Sequence, residues 1–222
     1  MKTFVVHYKQ VPERKEHIEK SFKDLDLEFC DKYDKTMVPE WKDPEAVYKV
    51  FPEMREWFSP DLIHVNHTFA SHCVAMTILD ILQKVKDEPV LILEDDAVPM
   101  VPNYKERLGE ALSNAPPGWD ILFISDSRCG SDLRRFTRGV YGKEWMSVLE
   151  MRSTCAWLVS PKGAEKILSL ARKHGGLGLY RESYFDNWMS RIIASEQTVD
   201  VWWSISPFVC NGDQVKAFER TY

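Results

Sequence analysis

Three consecutive carboxylates, Glu94, Asp95 and Asp96, follow an apolar run in the stretch PVLILEDDAVPM. Adjacent acids repel one another, and a group of them at the end of a buried strand costs stability unless a cation neutralises it. Out of context, the same letters also suit a strand end that only needs solvated charge. In an extended segment successive side chains alternate, so Glu94 and Asp96 point to one side and Asp95 to the other. An i, i+2 carboxylate pair suits a hard divalent ion, Mg²⁺ or Mn²⁺, which takes oxygen ligands, keeps waters and bridges one or two carboxylates to a bound diphosphate. Glu94 and Asp96 are therefore candidate metal ligands. Asp95 is a candidate for holding a ribose hydroxyl or a helix.

Other residues carry chemistry at similar places. His7 and Tyr8 close the β-rich run KTFVVHY, where the Tyr8 ring can stack on a flat base or simply pack. Arg14 falls in the first turn of the next helical stretch, placed to bind phosphate or base, although Glu13, Lys15 and Glu16 beside it equally suit a solvated face. Ser71 and His72 stand near the start of a long helical segment, a position that favours phosphate and that a histidine also occupies as a cap or packing residue. Asp126, followed by Ser127, ends a second buried run, GWDILFISD. Asp186 lies in YFDNWM and suits either a helix cap or a proton acceptor. Asn211 and Asp213 share the turn CNGDQ, and Arg134, Arg135, Arg138 and Lys143 crowd a glycine-bounded stretch that can close over phosphates or stay solvated.

The elements that must position these groups alternate along the chain. Residues 2–8 read as a strand, 12–25 as a helix opened by Pro12, and 27–34 as a second strand. Residues 37–62 contain four prolines and predict irregular structure with short helices, while 66–88 carry the clearest helical periodicity and feed the strand ending at Glu94. A helix over 103–116, a strand over 118–126, a mobile basic loop over 129–145 and one or two strands over 147–160 follow. Helices over 160–176, opened by Ser160-Pro161 and closed by Gly175, and over 180–195 then lead into a strand within 199–214. This alternation predicts one α/β domain over residues 1–222, with a mostly parallel, Rossmann-like sheet flanked by helices on both faces. Ligands of such sheets sit at the carboxyl ends of the strands.

Composition narrows the partners. The chain has 222 residues, 29 Lys+Arg against 34 Asp+Glu, a net charge of −5 and no long basic block, which excludes a polyanion-binding surface and makes nucleic acid an unsuitable partner. Cys30, Cys73, Cys129, Cys155 and Cys210 are odd in number and widely spaced, pointing to reduced thiols and a soluble, cytoplasmic or otherwise intracellular setting. No run reaches ~18 apolar residues, so no membrane span is expected. Asn66-His67-Thr68 fits a glycosylation sequon by its letters alone.

The block SHCVAMTILDILQKVKDEPVLILEDDAVP closely resembles the central block of glycosyltransferase family 25, in which a Ser-His helix start leads to a strand ending in Glu-Asp-Asp. FVVHYKQVPERKEHI, GWDILFIS, TCAWLVSPKGAEKIL and YFDNWM extend the resemblance more weakly over most of the chain, apart from residues 35–62. His7 departs from the family pattern, as does the lack of a Glu-x-Gly before Ser71-His72. The resemblance implies a GT-A-like fold, with Glu94-Asp95-Asp96 at the metal motif and Ser71 and His72 at the donor phosphates or sugar. It further implies a nucleotide-diphospho-sugar donor, UDP-linked, and a glycan or glycoprotein acceptor. In an inverting transferase one carboxylate takes the acceptor's proton. Asp186 matches the aspartate of the family's late segment and is the first candidate for that role, with Asp126 next. A catalytically silent sugar- or nucleotide-binding module, or a metal-dependent nucleotidyltransferase or phosphohydrolase, fits the same acid cluster.

Overall fold

The computed structural model describes residues 1–65, 69–126, 137–148, 154–174, 176 and 185–212. The chain runs through β1 (Lys2–Val6), α1 (Pro12–Ser21), β2 (Asp26–Cys30), a 3₁₀ turn (Lys35–Met37), α2 (Pro44–Val50), α3 (Met54–Trp57), α4 (Pro60–Val65) and α5 (Phe69–Lys84). It continues with β3 (Val90–Glu94), β4 (Ala97–Pro99), α6 (Tyr104–Ser113), β5 (Ile121–Phe123), β6 (Thr137–Tyr141), β7 (Trp145–Val148) and β8 (Ala156–Val159). The last described elements are α7 (Pro161–Lys173), α8 (Phe185–Glu196), β9 (Val201–Ser204) and β10 (Val209–Asn211). Among the described residues, no helix is long and apolar enough to cross a membrane.

Eight strands form one sheet in the order β2-β1-β3-β8-β5-β9-β7-β6. β1 pairs in parallel with both β2 and β3, and β5 with β9. β8 is inserted antiparallel between β3 and β5, and β7 runs antiparallel to β9 and β6. Six strands therefore share one direction, and β7 and β8 oppose it. From β1 the chain steps to β2 on one side and later to β3 on the other. The crevice beyond the carboxyl ends of β1 and β3 is thus a topological switch point, the place where open α/β sheets bind ligands.

Both faces of the sheet are covered, which explains why β3 is apolar at every position before Glu94. Val90 and Ile92 pack on one face with Phe69, Met76 and Leu79 of α5, Ile167 of α7 and Trp188 of α8. Leu91 and Leu93 pack on the other with Ile18 of α1 and Leu108 of α6. Continuing this alternation by one residue places Glu94 on the α5 and α8 face.

Two stretches differ from the expectations. Residues 137–145, expected within a mobile loop, belong to the β6–β7 hairpin, which turns at Gly142 with a positive φ of 60° and is anchored by the buried Trp145. Local propensity alone does not reveal such a pairing, because the anchoring contact is to β9. Residues 97–99, which follow the acids, pair as β4 with β10 in a separate two-stranded sheet. Helix α5 stops at Lys84, short of Pro89, which disfavours helical backbone in the residue before it.

The first turn of α7 shows how closely a helix approaches the sheet. Ser160 caps it by accepting from the Gly163 amide at 3.0 Å, and a β-carbon on Gly163 would lie 2.3 Å from the Asp120 carbonyl oxygen. Gly163→Val is expected to destabilise the protein by ~2 kcal/mol or more through this backbone clash. Gly109→Ala, on the exposed side of α6 with nothing within 4 Å, is expected to be neutral or stabilising. Urea unfolding midpoints of the two variants check the contrast.

Candidate active site

The acids at the end of β3 divide their work. Asp95 is buried, and its Oδ2 accepts from His7 Nδ1 and from the Tyr8 amide, both at 3.0 Å, while its Oδ1 accepts from Arg14 Nη1 at 2.8 Å. Because an ionised carboxylate only accepts, the His7 proton in this contact sits on Nδ1. Asp95 thereby fastens the end of β1 and the first turn of α1 to the end of β3. It holds the helix, one of its two expected tasks. A second tie joins the same partners: His17 Nε2 of α1 donates to the Ala97 carbonyl at 3.0 Å.

Glu94 and Asp96 face a cavity. The Glu94 amide donates to the Cys155 carbonyl at 2.9 Å, and its carboxylate accepts a short hydrogen bond from the Thr154 hydroxyl. Burial pushes the Glu94 carboxyl up to about 7; the charges of Asp96, Asp186 and Asp95 add to the shift, against the donation from Thr154. Asp96 accepts from Asn211 Nδ2 at 2.7 Å, and its carbonyl accepts from the Gly212 amide at 2.7 Å. A β-carbon on Gly212 would stand 3.1 Å from that carbonyl, so the close approach suits glycine. Asn211, which turn propensity alone would have explained, is therefore a direct partner of the acid turn.

The cavity measures about 650 Å³ and opens at the carboxyl ends of β1 and β3, against α5 and α8. Glu94, Asp96 and Asp186 line it on the β3 side together with Thr154 and Asn187. Tyr8, Arg14, Tyr33 and Lys35 line it toward β1 and β2, and Ser71, Cys73 and Thr77 contribute from α5. His7, Tyr8, Arg14, Ser71, Glu94, Asp95, Asp96 and Asp186 all reach this one cavity. His72 instead turns into the core, 1% exposed, with its ring 4.5 Å from that of Phe58. Asp126 follows β5, with its amide on the Val209 carbonyl at 2.7 Å, and is not among the residues lining the cavity. Arg138 and Lys143 belong to the β6–β7 hairpin at the far edge of the sheet. Ser127, Arg134, Arg135, Asp213, Gly175 and the sequon at 66–68 lie outside the described residues.

Sequence reasoning missed Tyr33, Lys35, Thr154 and Asn187. Tyr33 follows β2, and its ring is held by its hydroxyl, which lies 2.9 Å from Glu53 Oε1 and 3.1 Å from both oxygens of Asp80. Burial and these carboxylates push the hydroxyl far above its ordinary range, so it remains protonated. The position of Tyr33 at the carboxyl end of the strand read over 27–34 was an available signal. Thr154 reaches Glu94 only because β8 runs antiparallel, a direction that no local pattern reports.

No protein-family model matches the chain, and no curated protein matches it by sequence. Among solved structures, the chain is similar to a UDP-glucose pyrophosphorylase complexed with UDP-glucose, at 8% identity over 100% of both chains and a TM-score of 0.48. It is also similar to the apo-form glycosyltransferase GlyE of Streptococcus pneumoniae TIGR4, at 14% identity over 88% of this chain and 42% of that one, with a TM-score of 0.43. Mouse xyloside xylosyltransferase 1 in its apo form gives 12% identity over 88% of this chain and 68% of that one, with a TM-score of 0.37. Likenesses this distant assign no activity.

The raised Glu94 carboxyl has a signed consequence for stability. A folded-state value near 7 against an ordinary 4.5 means that the folded chain binds this proton more tightly than the unfolded one. The resulting stabilisation is full below about 4.5 and is lost as pH rises through about 7. In chelator, the stability of wild type relative to Glu94→Gln is therefore expected to fall across that interval. Denaturant midpoints measured at a series of pH values check it.

Proposed function

We propose that the protein is a metal-dependent glycosyltransferase of GT-A type, related to family 25, that takes a UDP-linked sugar and transfers it with inversion to a hydroxyl of a glycan or glycoprotein. The observation that carries this reading is one cavity at the β1–β3 switch point, into which four carboxylates, an exposed arginine and two tyrosines converge. A mainly apolar crevice of about 650 Å³ with several convergent polar side chains suits a nucleotide sugar. The order of sequence segments resembling family 25 supports the same reading.

Among the described residues, no group of three or more His, Cys, Asp or Glu side chains is arranged to hold a metal by itself. Mg²⁺ and Mn²⁺ do not require one, because they keep waters and share ligands with a diphosphate. The donor set fits: Glu94 and Asp96 are hard oxygen ligands facing one cavity, and the mutual repulsion felt at Glu94 is what a cation would relieve. Glu94 and Asp96 would hold the ion, which when bound supplies charge stabilisation to a departing diphosphate.

The remaining steps belong to side chains. Tyr8 offers its ring to the base. Arg14, oriented by Asp95, turns its guanidinium to a phosphate. Ser71 offers a hydroxyl donor from α5. Asp186, in the first turn of α8, takes the proton of the acceptor hydroxyl as that oxygen bonds to the anomeric carbon and the bond from that carbon to the diphosphate breaks. The positions of His72 in the core and of Asp126 away from the cavity lining favour Asp186 as the base.

Asp96→Ala is expected to abolish Mn²⁺-dependent UDP binding in calorimetry while leaving the circular dichroism spectrum unchanged; equal UDP affinity in excess chelator would remove the metal from the reading. Asp186→Asn is expected to bind UDP and Mn²⁺ normally yet release UDP from UDP-sugars ~10²- to 10⁴-fold more slowly in the presence of glycan acceptors. Turnover at the wild-type rate would take the base role from Asp186. Wild-type binding without transfer to any acceptor would mark a silent binding module.

A further inference from the structure

The cations around the cavity are mostly engaged by carboxylates. Arg14 meets Asp95 at 2.8 Å, Lys9 meets Asp34 at 3.8 Å, and Lys32 meets Asp80 at 3.5 Å and Glu53 more closely. Lys35 also lines the cavity, and among the described residues no carboxylate lies within ion-pair distance of its Nζ. Its ammonium stands over the Tyr8 ring, 5.0 Å from the centroid.

The backbone beneath Lys35 is built with unusual firmness for an exposed turn. Asp34, 1% exposed, caps the 3₁₀ turn: its Oδ1 accepts from the Thr36 amide at 2.8 Å and the Thr36 hydroxyl at 2.7 Å, and its Oδ2 accepts from Gln10 Nε2 at 3.0 Å. The Asp34 carbonyl accepts from the Met37 amide at 3.0 Å. A buried carboxylate is costly unless its contacts are well formed, and these contacts hold the residue on either side of Lys35. Lys9, and not the adjacent Lys35, supplies the counter-charge. The charge of Lys35 is left facing the cavity.

We propose that Lys35 takes the diphosphate of the bound nucleotide together with Arg14, an assignment that rests on the nucleotide reading of this cavity. A divalent ion on Glu94 and Asp96 is largely offset by those acids and by Asp186, so a diphosphate needs further positive charge, from the β1 and β2 side. Lys35 and Arg14 are the cations that line it there. With a base on Tyr8, the phosphates lie next to the ammonium already held above that ring. The compact, rotatable ammonium of lysine suits contact with more than one phosphate oxygen.

The test compares UDP and uridine binding to the full chain in Mn²⁺, by calorimetry and by NMR titration respectively, in wild type, Lys35→Ala and Lys35→Arg. Lys35→Ala is expected to weaken UDP roughly tenfold, the size of one hydrogen bond to a charged group, while leaving uridine unchanged. Lys35→Arg is expected to recover most of the loss. Unchanged UDP affinity in Lys35→Ala overturns the assignment, and so does an equal loss for UDP and uridine, which would place Lys35 as packing on Tyr8. A wild-type chain that binds neither ligand overturns the nucleotide reading itself, a result distinct from a binding wild type with an indifferent Lys35→Ala.

Discussion

The buried carboxylate of Asp95 is the contact on which the rest of the site depends. It receives a ring N–H from His7, a backbone N–H from Tyr8 and a guanidinium N–H from Arg14, and so joins two adjacent strands and a helix at one point. Removing its partners would leave an uncompensated charge beside the cavity, which is far more costly than losing a surface ion pair. With these ties in place, Tyr8 and Arg14 present their outer faces in fixed register with Glu94 and Asp96. The cavity is a by-product of this clamp as much as of the sheet.

On the other side of the turn the physics is reversed. Glu94, Asp96 and Asp186 are brought toward one another by β3 and α8, and the Glu94 carboxyl is raised first by its burial and further by the charges of its neighbours. Thr154 and Asn211 each give one hydrogen bond, which orients the acids without neutralising them. One acid of the three in the turn therefore ties β1 and α1 to β3, and the other two are turned toward the α5 and α8 side of the cavity. That contrast separates a structural carboxylate from cavity-facing ones more clearly than burial does.

Much of this was legible in the sequence. The unbroken apolar run VLIL followed by Glu94 placed the acid at the end of a buried strand, and the alternation of strands and helices gave the sheet its carboxyl-end crevice. The separation of Asp95 from Glu94 and Asp96 followed from side-chain alternation alone. What escaped depended on contacts distant in sequence. His72 sits beside a residue that lines the cavity, but its own side chain faces Phe58, a choice set by helix rotation about the core. Thr154 required the direction of β8, and Lys35 required the buried cap of Asp34, neither of which has a local signature. The β6–β7 hairpin was obscured by its charge and glycine content, because its anchor, Trp145, finds its place only against β9.

The pairing of β10 with β4 carries a consequence for how the protein comes into being. Asp96 and the side chain that orients it, Asn211, are 115 positions apart, and the intervening chain supplies five strands of the main sheet. A ribosome will have produced β1, α1 and β3, together with the entire Asp95 clamp, long before Asn211 emerges. The acid turn must therefore persist for most of synthesis with its Asp95 side built and its opposite flank open. Contacts this far apart are slow to close, since the loop must be ordered before the contact rewards it. Assembly of the site is thus among the last events of folding, and a nascent chain acquires its completed acid turn only when nearly all of its sheet is already in place.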